Sequence, residues 1–115
     1  MTDLATVKLI IEQYAKHEWT VRRAALSPAS IASVGARLAS LYADFEIVES
    51  PNEALWFSRR TLPDREAWEL RRLSGSPFAL VAVLEDSMSE DEREEVLRDT
   101  ERRMFDGSHP EPTSH

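Results

Sequence analysis

Apolar residues recur three and four apart at Leu4, Val7, Ile10, Ile11 and Tyr14, behind a capping Thr2 or Asp3. That spacing predicts an amphipathic helix over residues 3–17. Residues 18–26 are rich in strand formers and read as a strand. Ser27 followed by Pro28 is a helix start, a capping hydroxyl with proline at the first helical position. Ile31, Val34, Leu38, Leu41 and Tyr42 then keep one face apolar, so a second helix is expected over 28–43, slightly weakened by Gly35. From residue 43 to 85 the pattern changes to short strands separated by Ser50-Pro51-Asn52, Leu62-Pro63-Asp64 and Ser74-Gly75-Ser76-Pro77. Ser89-Glu90-Asp91-Glu92 is a capping box, and Val96, Leu97, Thr100, Met104 and Phe105 continue at helical spacing, which predicts a last helix over about 89–105.

The order helix, strand, helix, four strands, helix defines an α+β domain. We expect a two-layer sandwich, with three helices on one face of a mostly antiparallel sheet of about five strands. Residues 43–85 read as a four-stranded meander, in which Ile47 faces Trp56, Trp56 faces Leu70, Leu70 faces Val81 and Arg60 faces Glu66. One face then gathers Phe45, Ile47, Trp56, Trp68, Leu70, Ala79, Val81 and Val83, and the helices should cover it. The other face mixes Val48, Leu55, Phe57, Leu73, Phe78, Leu80, Ala82 and Leu84 with Glu46, Arg59, Glu69 and Arg71. It is too apolar for plain solvent surface and too charged for plain core. The pattern leaves open whether the first strand joins beside 43–50 or beside 77–84, and whether the last helix covers this mixed face.

Length adds that 115 residues form one domain, taken as 1–105, with a patternless and disordered tail at 106–115. The longest apolar run, Phe78 to Leu84, is far short of a membrane span, and no basic-then-apolar leader opens the chain. We therefore expect a cytoplasmic protein with no membrane partner. There is no cysteine, so neither disulfides nor thiolate metal ligands are available. The net charge of −7 disfavours nucleic acid, and it is concentrated in the last helix and tail. Twelve of the fourteen basic residues are arginine. A genome rich in G and C accounts for this as well as selection for guanidinium chemistry does.

Each of the three tryptophans opens the same string, Trp-x-x-Arg-Arg, at Trp19, Trp56 and Trp68. In a strand the two arginines of each pair point to opposite faces. Arg22, Arg59 and Arg71 would then share the mixed face with Glu69, and can hold a phosphate, a carboxylate or an acidic partner through bidentate hydrogen bonds. The plainer account is that their stems lie along the sheet and their heads pair with Glu46 and Glu69. The tryptophans are better placed as core than as a base-stacking platform, because a nucleic-acid module needs a basic stripe.

No catalytic residue is nominated. His17 is the one histidine outside the tail, tied to no serine in a nucleophile motif, and the glycines form no phosphate loop. The seven acids between Glu85 and Glu95 contain no glycine for a calcium turn, and no histidine pair has zinc spacing, so neither a metal nor a cofactor is implied. The pattern favours a non-enzymatic interaction domain, an adaptor or a dimerisation unit, whose mixed face meets a second copy of itself or another protein. Its contact residues would be Arg22, Arg59, Arg71, Glu69, Phe57 and Leu80. The alternative is a small anionic ligand, or an enzyme's anionic substrate, held by the same arginines.

Overall fold

The computed structural model describes residues 2–42, 44–73 and 78–106. The expected tail beyond Asp106 and the Ser74–Pro77 turn lie outside the described residues. Helix α1 (Leu4–Ala15) starts where the Asp3 side chain accepts the Thr6 N–H at 2.8 Å. Strand β1 (Thr20–Leu26) leads directly into helix α2, a continuous helical stretch over 28–41. The Ser27 side chain caps α2, and Pro28 opens it. Between Ile31 and Gly35 the turn of α2 widens to π geometry. Strands β2 (Glu46–Glu49), β3 (Ala54–Leu62), β4 (Arg65–Arg72) and β5 (Ala79–Glu85) follow, and α3 (Glu90–Phe105) closes the fold behind the reciprocal Ser89–Glu92 capping box. The order α-β-α-β-β-β-β-α and the α+β class are those the pattern predicts. Among the described residues, no helix is long and apolar enough to cross a membrane.

The sheet order is β2-β1-β3-β4-β5. The expected meander is therefore interrupted: β1 inserts between β2 and β3, parallel to β2 and antiparallel to β3. Ile47 consequently lies beside Ala24 and not opposite Trp56. The β3–β4 hairpin has the expected register, with Trp56 opposite Leu70 and Arg60 opposite Glu66. The β4–β5 register differs by one residue, since Leu70 faces Leu80 and Val81 faces Glu69. A slip of one reverses every side chain of a strand, so Val81 and Val83 change faces relative to the prediction.

Helices cover both faces, so the sheet is the middle of three layers where two were expected. α1 and α2 pack on Val21, Ala24, Leu26, Leu55 and Phe57. α3 packs through Leu97 and Met104 on Trp56, Trp68, Leu70 and Leu84. The expected assignment of faces is thus inverted: the two N-terminal helices cover part of the mixed face, and the tryptophan face belongs to α3. A helix is about 10 Å wide and strands lie about 4.8 Å apart, so two helices span about four strands and one helix about two. Neither layer reaches across five. Each face keeps one uncovered corner, and the two corners lie at opposite edges of the sheet.

Candidate functional site

The first corner lies on the α3 face above β1 and β2. A bulge at Arg22, between the pairs Val21–Phe57 and Arg23–Trp56, turns consecutive arginines towards the same side. The Arg22 guanidinium lies 5.4 Å from the centre of the Trp68 ring and donates to Ser58 Oγ at 3.5 Å. Arg23 is mostly buried and bridges Glu46 Oε1 at 3.0 Å to Glu94 Oε2 on α3 at 3.1 Å. Burial opposes the charge of Arg23, yet the two carboxylates outweigh that cost and hold it protonated. The resulting cleft, about 540 Å³, is lined by Arg22, Arg23 and Arg93 on the basic side. Asp44, Glu46, Glu90 and Glu94 supply four carboxylates, so the cleft carries a small negative excess.

The second corner lies on the α1/α2 face above β4 and β5. The row Phe57–Glu69–Val81 crosses it from core to solvent. Phe57 is fully buried and stacks on Tyr14 of α1 with ring centres 3.9 Å apart. Glu69, half-buried, accepts a hydrogen bond from the Tyr14 hydroxyl, and burial together with that bond raises the Tyr14 pKa. Beyond Glu69 no helix among the described residues lies over the sheet: Val81 is 53% exposed and Val83 48%. Their neighbours on this face are Ala79, Ala67 and Arg71. Arg59, at the end of α1, lies 5.0 Å from the Trp19 ring centre and donates to the His17 carbonyl at 2.8 Å. A shallow cavity of about 550 Å³, lined by Gln13, Tyr14, Lys16, His17, Trp19 and Glu69, runs along this boundary.

The predicted residues divide between these regions. Arg59, Arg71 and Glu69 share the second face as expected, whereas the bulge sends Arg22 to the opposite side of the sheet. The three arginines therefore do not converge. Glu46 also lies on the α3 face, paired with Arg23, and is no partner of Arg59 or Arg71. Phe57 belongs to the core beneath α1, and Leu80 is half-buried against the α3 cluster, so neither is available as a contact on the open corner. Sequence reasoning missed Val81 and Val83 as exposed residues. The run Phe78–Leu84 is apolar at odd and even positions alike, so alternation carried no signal for their face.

A third polar cluster is structural. Glu53, 7% exposed, accepts from Thr2 Oγ1 at 2.5 Å, Ser27 N at 2.9 Å and Ser27 Oγ at 2.8 Å. Burial alone would raise its pKa, but hydrogen bonds from Ser30, Thr2 and Ser27 outweigh it and hold the carboxyl down to about 2. Glu53 thereby fastens the N-terminal segment and the start of α2 to the start of β3. Among the described residues no group of three potential metal ligands comes together. Comparison of the chain with protein-family models, with curated proteins and with solved structures finds no match.

Proposed function

We propose that this protein is a self-associating interaction domain, whose uncovered β4–β5 corner is buried against a second copy of the chain. The observation that carries the reading is the pair Val81 and Val83, both about half exposed on one face of an edge strand. Adjacent exposed apolar side chains that no helix covers are what an interface core supplies. Charged residues of both signs border them, Glu69 and Glu85 against Arg65 and Arg71, which suits a surface that meets its own copy. The anion-binding alternative has weaker support, because Arg22 is separated from Arg59 and Arg71 and its cleft holds more carboxylates than arginines.

Light scattering over a wide range of protein concentration tests the proposal. The expected result is a dimer that dissociates on dilution. Replacing Val81 and Val83 together by Asp should weaken association by about a hundredfold or more, because two charges would be desolvated at the interface core. Circular dichroism should show the double variant still folded. A wild-type chain that is monomeric throughout, or a double variant that associates as well as wild type, would overturn it.

A further inference from the structure

Resting on that self-association, we infer that the two copies join antiparallel along β5, with Ala82 on the two-fold axis, into one continuous ten-stranded sheet. β5 offers an edge of a kind that proteins ordinarily protect. The opposite edge, β2, is four residues long, begins and ends in glutamate, and is followed by Pro51. Short length, charge and proline are the devices that keep edges from pairing. β5 is seven residues long, and from Ala79 to Leu84 it carries no charge, no proline and no glycine.

The register follows from what each side chain would meet. With Ala82 opposite itself, Val81 faces the second copy's Val83, and Val83 its Val81, so the two exposed valines of each copy close over one another. Ala79 faces the second copy's Glu85. Within each copy Ala79 is flanked by Arg71, and Glu85 by Arg65. Arg71 and that Glu85 would then stand about 10 Å apart at their Cα atoms, two strand spacings, with only the methyl of Ala79 between them. Both side chains are long enough to meet across it. Among the described residues neither Arg71 nor Glu85 makes an ion pair within the chain.

The other face agrees under the same two-fold operation. A groove of about 410 Å³ runs between β5 and α3, lined by Ala82 and Val96, with Glu95, Asp99 and Arg103 at its rim. The charge along this flank of α3 runs from acidic to basic. Antiparallel apposition brings Arg103 of one copy, paired with Asp99 of its own chain, towards Glu95 of the other, with the two Asp99 side chains between these pairs, and the small side chain of Ala82 leaves room at the axis.

The chain has no cysteine, so single substitutions report the register directly. Val81→Cys and Val83→Cys are prepared separately, checked for native circular dichroism, and oxidised alone and as an equal mixture. Directly opposed residues lie within disulfide reach, while diagonal ones, about 7–8 Å apart, do not. The mixture should yield about tenfold or more the cross-linked dimer of either variant alone. Cross-linking as strong with one variant alone overturns the register. A dimer by light scattering with no cross-link in the mixture overturns the edge pairing and leaves self-association standing. A chain that stays monomeric overturns both, and resistance of its Val83→Cys variant to a thiol reagent would then mean that another occupant covers the corner.

Discussion

The two uncovered corners of the sheet carry opposite chemistry, although each arises because a helical layer is too narrow for five strands. Above β1 and β2 the gap is filled with ions: Arg23 joins Glu46 to Glu94, and Arg22 lies against Trp68. Above β4 and β5 it is left apolar, with Val81 and Val83 half exposed. A corner whose mostly buried arginine is already paired with two carboxylates of its own chain has less need of a partner. A corner of exposed valines gains free energy when water leaves it, at roughly 25 cal/mol for each Å² of apolar surface removed. Under the self-association proposed above, the second corner is the one that the other copy covers.

The comparison breaks most visibly along the row Phe57–Glu69–Val81. Phe57→Ala, at its covered end, should cost about 3–5 kcal/mol in urea unfolding, since it empties the contact under Tyr14. Val81→Ala, at its open end, should change the stability of the monomer by less than about 0.5 kcal/mol, measured at a concentration too low for association. Comparable losses at both ends would mean that the open half is covered. In the polar corner, Arg23→Met should cost about 1–3 kcal/mol, because Glu94 and Glu46 lose a charged donor in a partly buried cleft. That loss should leave the solution mass unchanged.

Acid sharpens the contrast from another side. The folded-state pKa of Glu53 is depressed to about 2 from an ordinary 4.5, so its contribution is complete above pH 4.5 and is lost as pH falls from there towards 2. Stability of the wild type should fall by about 2 kcal/mol more than that of Glu53→Gln across this window, by urea titrations at each pH. The smallest effect is expected from anions. Phosphate or citrate at millimolar concentration should leave the melting temperature unchanged, whereas a clear rise would revive Arg22 as part of a binding site.

Much of the fold was legible in the sequence. Local signals placed all three helices, from the Asp3 and Ser27 caps to the Ser89–Glu92 box, and they set the β3–β4 register through the tight Pro63-Asp64 turn. The misses were non-local. Parallel pairing of β1 with β2 has no turn to announce it, so the insertion of β1 into the meander left no mark on either segment. The bulge at Arg22 broke strict alternation and separated it from Arg59 and Arg71. The longer β4–β5 connection allowed a one-residue slip, which was enough to move Val81 and Val83 from the expected core to the open corner. Of the candidate site, Glu69, Arg59 and Arg71 were placed on the correct shared face, while its apolar centre depended on that slip.

Hydrogen exchange of backbone amides at two protein concentrations tests the central claim most directly, because it reads both edges of the sheet at once. The account predicts that the edge-facing amides of Ala79, Val81, Val83 and Glu85 are protected at high concentration and lose that protection on dilution, while those of Leu80, Ala82 and Leu84, turned towards β4, stay protected at both, and those of Glu46–Glu49 exchange at rates independent of concentration. Equal concentration independence at the two edges would contradict it.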